Sequence, residues 1–291
     1  MLVESGILPD GALQLVTGGL GDLLDHLGPQ DVVGFTGSAE TAFGLRSAPN
    51  LLRNSVRFVA EQDSLNASIL GPDAVAGTPE FDLFVTEVHR EMTTKAGQKC
   101  TAIRRIIAPD AHVEAVIKAL SDRLSKTVIG DPNKAETRMG ALVSNAQKRD
   151  VLAKAAIIAT EATQVYGNED FHDHKGAFLT PMVFHCESPD SAERVHDTEA
   201  FGPVSTVMGY RDLDHAIKLV NKGQGSLVAS VITHDPNVAR EVALGAGAYH
   251  GRLYFNNRDS MEESTGHGSP LPHMVHGGPG RAGGGEELGG V

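Results

Sequence analysis

The sequence predicts an α/β fold organised around a parallel sheet. Two regions carry this reading. Between Gly11 and Gly37, compact apolar runs alternate with a stretch of leucines at helical spacing, and from Phe81 onward the same strand–helix alternation resumes. Alternating strands and helices build crossover units that lay strands side by side in one direction. No internal repeat of fixed period argues for a solenoid instead.

Taken in order, Leu13-Gln14-Leu15-Val16 reads as a short strand, and Leu20, Leu23, Leu24 and Leu27 as a helix running to Gly28-Pro29. Val32-Val33-Gly34-Phe35 reads as a buried strand that ends in Thr36-Gly37-Ser38 before a helix over 39–45. A further apolar strand is expected over 56–60. A helix over 81–95 places Phe81, Phe84, Val85, Val88 and Met92 on one face, with Gly97 just past its end. Next come a strand over 103–108, an amphipathic helix over 111–127 and a helix over 145–162. A strand over 227–233, a helix over 237–244 and a strand over 251–255 follow.

A chain of 291 residues can bury one large core or two moderate ones. Its net charge of -12 argues against nucleic acid or an anionic membrane as the main partner. Two cysteines, Cys100 and Cys186, cannot make a disulfide framework. No charged-then-apolar segment opens the chain and no apolar run reaches spanning length, so a soluble cytoplasmic protein is expected. The opening Met1-Leu2-Val3-Glu4-Ser5-Gly6 reads as the end of a helix with its glycine stop. Eight of the fifteen residues from Gly277 to Val291 are glycine, so both ends read as cut from a longer chain.

Four short segments can carry chemistry. Cys100 lies in Gly97-Gln98-Lys99-Cys100, at a helix–strand junction where a thiol can face a cleft and Gly97 permits close backbone approach; the alternative is a small buried hydrophobe. Lys99 either favours the thiolate or points to solvent. Glu61, directly after an apolar strand, is either a partly desolvated general base or an ordinary solvated carboxylate. Thr36-Gly37-Ser38 closes a strand and opens a helix, so it offers either a phosphate cradle or a simple cap. Glu199-Ala200-Phe201-Gly202-Pro203 is either a turn or a carboxylate and a ring presented to a ligand. His267, His273 and His276 match no standard zinc spacing, and no metal is assigned. Cys186 lacks any such context and reads as structural.

The order of these segments is more informative than any one of them. Phe35-Thr36-Gly37-Ser38, Glu61, Gly97-Gln98-Lys99-Cys100 and Glu199-Ala200-Phe201-Gly202-Pro203, preceded by Ser5-Gly6-Ile7-Leu8-Pro9-Asp10-Gly11, resemble the aldehyde dehydrogenase superfamily across essentially the whole chain. Glu61-Gln62-Asp63-Ser64-Leu65-Asn66, the run Arg90–Arg105 and Glu263–Pro272 with the glycine tail look most like the phenylacetate-degradation branch. There the dehydrogenase domain is fused to an enoyl-CoA hydratase-like domain. A sister branch that oxidises the semialdehyde of 3,4-dehydroadipyl-CoA in benzoate breakdown looks similar.

The resemblance implies an aldehyde dehydrogenase-like α/β fold, with a partial Rossmann-like cofactor domain and an α/β catalytic domain. Residues 1–62 would be the C-terminal part of the cofactor domain, 63–271 the catalytic domain, and 272–291 a glycine-rich tail returning toward the cofactor domain. It also implies an enzyme using NADP or NAD on a small, CoA-linked aldehyde, in a homo-oligomeric full-length parent. Cys100 would be the nucleophile and Glu61 the base for deacylation. Thr36, Gly37 and Ser38 would meet the cofactor pyrophosphate, Glu199 its nicotinamide ribose and Phe201 the nicotinamide region. The family's upstream oxyanion-hole asparagine and cofactor-clamping lysine have no counterpart here. A non-catalytic fragment therefore stands as a second reading, and a cysteine hydrolase or acyltransferase using a nearby histidine, His89 being the closest upstream, as a third.

Overall fold

The structure is a computed structural model, and it describes residues 4–167, 176–269, 276–284 and 286–287. The chain divides into two compact units, one of residues 1–33 and 43–58 and one of residues 34–42 and 59–291. No described helix is long and apolar enough to cross a membrane.

The smaller unit holds little regular structure. The expected strand at Leu13–Val16 is absent: the segment is irregular, with Leu15 90% and Val16 74% exposed. A strand is held by its neighbours' hydrogen bonds, and no described strand lies beside this one. The expected leucine helix shrinks to one 3-10 turn, Leu23–His26. Its carbonyls are satisfied from outside, because Asn50 Nδ2 donates to Leu24 O and Leu27 O, both at 2.8 Å. Strand β1 (Val32–Thr36) pairs with β2 (Arg57–Glu61) in a two-stranded sheet. The expectation of a buried β1 is corrected, since its residues alternate between exposed and half-buried. Helices α1 (Ala39–Arg46) and α2 (Pro49–Arg53) lie between the two strands in sequence.

The larger unit is a three-layer α/β/α body. Its strands are β3 (Ala67–Leu70), β4 (Arg105–Pro109), β5 (Thr163–Tyr166), β6 (Met182–Cys186), β7 (Val204–Tyr210), β8 (Ser226–Ile232) and β9 (His250–Asn256). They form one sheet in the order β5-β6-β7-β4-β3-β8-β9, parallel throughout except for the antiparallel edge strand β5. Helices α3 (Pro79–Thr93) and α4 (Val113–Leu124) cover one face, where Phe84, Val88, Val116 and Leu120 meet Ile106 and Val207. The other face packs Ile69, Ile107 and Met208 against α5 (Asn145–Ile158), α7 (Leu213–Asn221) and α8 (Pro236–Ala246). The short α6 (Arg194–Asp197) precedes β7. Adjacent residues of β4 thus serve opposite layers, as the pleat requires.

Local signals set these helices. Thr78 caps α3 by accepting from Phe81 N–H at 3.3 Å, with Pro79 in the first turn; Ser144 and Asp212 cap α5 and α7 in the same way. Each such cap contributes about 1 kcal/mol. The glycine tail is held where side chains are missing on both sides. β10 (His276–Gly277) passes so close to β9 that a β-carbon on Gly251 would strike the Gly277 carbonyl. The tail then runs past Gln62, whose N–H donates to Ala282 O at 3.1 Å, and β11 (Glu286–Glu287) pairs antiparallel with β10.

Arg105, fully buried in β4, joins three segments. Its guanidinium donates to Leu65 O, Leu219 O and Val220 O at 2.8–3.1 Å, and to His196 Nδ1 at 3.3 Å. Burial pushes it down to about 9. Replacing it leaves several buried acceptors without donors, each costing roughly 1–3 kcal/mol. Arg105→Met should therefore lower unfolding stability by about 3 kcal/mol or more, read as a shifted urea midpoint. A change under about 0.5 kcal/mol would mean that water reaches these carbonyls.

Candidate active site

Strand β4 begins just after a sharp reversal of the chain. Lys95, Ala96 and Gly97 are consecutive left-handed residues, at φ 54°, 53° and 69°. For the first two residues that conformation costs roughly 1–2 kcal/mol each. Helix α3 accordingly stops at Thr93, two residues short of the expected end. Gly97 is required for a second reason: a β-carbon there would overlap the carbonyl of Gly202. The reversal places Cys100 half-buried between α3 and β4.

Arg104 holds the reversal in place. Its guanidinium donates to Gly97 O at 2.9 Å, Lys99 O at 3.3 Å and Gly202 O at 2.7 Å. Its Nε lies 3.6 Å from Glu199 Oε1, and its cation sits 5.6 Å from the centre of the Phe201 ring. Burial pushes the Glu199 carboxyl up, against the opposing attraction of Arg104. Asn66 fixes the loop from below, donating to Cys100 O at 2.7 Å and Ala102 O at 3.1 Å. Its own carbonyl oxygen accepts from Ser64 Oγ–H at 2.6 Å. Asn66 and Arg104 lie in runs that carry the resemblance, but the sequence reading gave neither a role in the site.

Glu61 is the last residue of β2 and is buried, 4% exposed, so the solvated-carboxylate alternative is corrected. His276 was also missed as a site residue. Its Nε2 lies 3.7 Å from Cys100 Sγ and 3.5 Å from Glu61 Oε2, and ligand atoms of the three residues fall within 4.8 Å of one another. Sulfur, imidazole and carboxylate form a donor set of the kind zinc takes. Lys99 does not face solvent, because its Nζ pairs with buried Glu91 at 2.8 Å.

One cavity is lined by Thr36, Gly37, Ser38, Glu61, Cys100, Glu199 and Phe201, so the structure gathers all seven expected site residues. Ser38 caps α1: Thr41 N–H donates to Ser38 Oγ at 3.2 Å, and the Ser38 hydroxyl donates to Thr41 Oγ1 at 2.9 Å. Asp63 accepts from Ala39 N–H at 3.0 Å, at the same helix start. His89 lies elsewhere, bonded through Nε2 to Thr127 Oγ1 at 2.8 Å, so it is not the histidine beside Cys100. Cys186 is buried in β6. His273 lies outside the described residues.

These features, a cysteine and a buried glutamate facing a strand–turn–helix start across one cavity, define a class of enzyme-like site. The chain belongs to the aldehyde dehydrogenase family, whose profile matches residues 1–289. It is 44% identical over 284 residues to 3,4-dehydroadipyl-CoA semialdehyde dehydrogenase of Aromatoleum evansii, covering 96% of this chain and 55% of that protein. It is 50% identical over 154 residues to Protein MaoC of Klebsiella aerogenes, covering 53% of this chain and 46% of that protein. Among solved structures, an NAD-dependent aldehyde dehydrogenase from Sinorhizobium meliloti superposes with a TM-score of 0.84 at 25% identity, over 99% of this chain and 54% of that one. A point mutant of betaine aldehyde dehydrogenase from Staphylococcus aureus, in complex with NAD+, gives 0.78 at 27% identity, over 92% and 51%. The chain spans about half the length of the curated relatives it matches.

Behind the Cys100 loop lies a buried network with a titratable member. His267 Nε2–H donates to Thr101 O at 3.0 Å, and the His267 backbone N–H donates to Glu87 Oε2 at 3.3 Å. Burial pushes the Glu87 carboxyl up to about 7 from 4.5. A raised folded value means that Glu87 contributes stability in full below 4.5 and loses it as pH rises through about 7. His267, pushed down to about 3 by burial, has the opposite sign. Its contribution remains when only Glu87 is changed. Glu87→Gln should therefore gain stability relative to the native protein between pH 5 and pH 8, measured by urea unfolding at each pH. Parallel pH dependences would show that Glu87 is ionised in the fold throughout.

Proposed function

We propose that this chain carries the catalytic cysteine and general base of an NAD(P)-dependent aldehyde dehydrogenase acting on a CoA-linked semialdehyde of aromatic-acid breakdown. The observation that carries the reading is the placement of half-buried Cys100 and buried Glu61 on one cavity with Thr36–Ser38, Glu199 and Phe201. The CoA-linked substrate rests on the branch resemblance and on the name of the 44% identical relative. NADP rather than NAD rests on the branch resemblance alone.

The residues fit the nicotinamide half of a dinucleotide, with the Glu199 carboxylate available to sugar hydroxyls and the Phe201 ring beside it. At the phosphate end, Thr36, Gly37 and Ser38 are exposed, while Asp63 takes the Ala39 N–H. A bound nicotinamide dinucleotide supplies the hydride acceptor of the oxidation. The chain's own groups do the rest. Cys100 thiolate adds to the aldehyde carbon, forming a C–S bond and an oxyanion that the Cys100 backbone N–H stabilises. After oxidation the carbon is held as a thioester. Glu61 then takes a proton from water, the hydroxide adds to the thioester carbon, and the C–S bond breaks to return Cys100 as thiolate.

In the whole protein, Cys100→Ala should abolish formation of reduced cofactor from aldehyde, whereas Cys186→Ala should leave it within about twofold, because Cys186 is buried in β6. A dead Cys186 variant would overturn the assignment. Glu61→Gln separates the two half-reactions, since a deacylation base is not needed before the hydride leaves. It should keep a first-turnover burst of reduced cofactor and lose steady turnover, as stopped-flow absorbance would show. Loss of the burst as well would place Glu61 in thiol activation.

A further inference from the structure

We propose that His276 is a further catalytic residue: a hydrogen-bond donor to the sulfur of Cys100, with Arg252 deciding which ring nitrogen carries the hydrogen. The proposal deepens the reading of Cys100 as nucleophile and rests on it.

The argument begins at the far side of the ring. His276 Nδ1 lies 3.2 Å from Nη1 of Arg252, a buried residue of β9 whose Nη2 also donates to His267 O at 3.0 Å. A guanidinium only donates, so Nδ1 accepts and the ring hydrogen sits on Nε2. That nitrogen faces Cys100 Sγ at 3.7 Å and Glu61 Oε2 at 3.5 Å. His276 is therefore set up as a neutral donor aimed at the sulfur, with the Glu61 carboxylate as a competing acceptor. The thiolate is the nucleophilic form, and a hydrogen bond to a charged acceptor is about twice as strong as one to a neutral acceptor. The donor accordingly favours the thiolate over the thiol.

The same observation decides against a metal. Zinc on the Cys100, Glu61 and His276 set needs the Nε2 lone pair, which moves the hydrogen to Nδ1 and points it at the Arg252 guanidinium. The backbone that carries the ring is held in place. Gly277 is pressed against Gly251 with no room for a side chain between them, so His276 is anchored to the first residues of β9, the strand that supplies Arg252. Charged groups surround the sulfur from several elements: Glu61 from β2, Arg104 from the head of β4 and Arg252 from β9, with Glu91 of α3 paired to Lys99.

Alkylation of the 291-residue protein by iodoacetamide reads the sulfur directly: the thiolate forms a C–S bond, the C–I bond breaks and iodide leaves. Rates at Cys100 and Cys186 are separated by mass spectrometry from pH 6 to pH 10. Replacement His276→Ala should raise the pH midpoint at Cys100 by about one unit and slow the reaction about tenfold at pH 7, and His276→Gln, which keeps an N–H donor, should recover most of the rate. An unchanged profile in a folded His276→Ala variant overturns the proposal. Long-range ¹H–¹⁵N correlation on the native protein tests the tautomer without any substitution. It should show hydrogen on Nε2 of His276, and hydrogen on Nδ1 overturns the proposal. One equivalent of zinc that blocks alkylation in the native protein but not in His276→Ala would also overturn it. Neither measurement uses an aldehyde, so failure of aldehyde oxidation and failure of the His276 contact are separate results.

Discussion

The arrangement around Cys100 depends on where one buried guanidinium finds its acceptors. Arg104 is buried, so Gly97 O, Lys99 O, Gly202 O and Glu199 must all stay within its reach. That requirement ties a strained reversal to a loop a hundred residues later in the chain. Two left-handed non-glycine residues persist next to Cys100 because the carbonyls flanking that residue are held from two sides, by Arg104 and by Asn66. Remove the guanidinium and the Glu199 carboxylate loses its partner as well, so strain, charge and cavity shape fail together.

The sequence made the long amphipathic helices readable because each leaves one face dry: the stripes at Phe84, Val88 and Met92 and at Val116, Leu120 and Leu124 are the faces buried in the structure. It hid β3 and β7, on either side of the expected β4, for the opposite reason. β3 is only four residues long and includes buried Ser68, whose hydroxyl accepts from Ser230 Oγ at 2.8 Å. β7 is buried at all seven positions although it contains Ser205 and Thr206, so no alternation marks it. Helix α7 also went unread. Leu13–Val16 misled in the other direction, since strand-like composition gives no strand without a neighbour.

The site followed a similar division. Residues inside ordered motifs were legible: Cys100, Glu61, Glu199, Phe201 and the Thr36–Ser38 turn meet at one cavity. Arg104 stands four residues after Cys100 without having been read as part of the site, and His276 reaches it from an isolated position. One signal for Arg104 was present, namely two consecutive arginines interrupting the apolar run from Ala102 to Ala108. Charges in a strand buried on both faces need internal acceptors, and each arginine serves a different layer. His276 had no such flag, because its contacts depend on how closely two glycine-bearing segments approach.

Within the larger unit's seven-stranded sheet, the residues around the cavity stand at the amino ends of the strands. Asn66 stands before β3, Cys100 before β4, Glu199 and Phe201 before β7, and Gly251 near the first residues of β9. Open parallel sheets more often place ligands at the carboxyl ends. Here the opposite rim, with Asp73 bonded to Thr233 and Arg258 to Glu80, is occupied by polar contacts between structural loops. A substitution on that rim, at Asp73 or Glu80, touches none of the residues that line the cavity at Cys100 and Glu61.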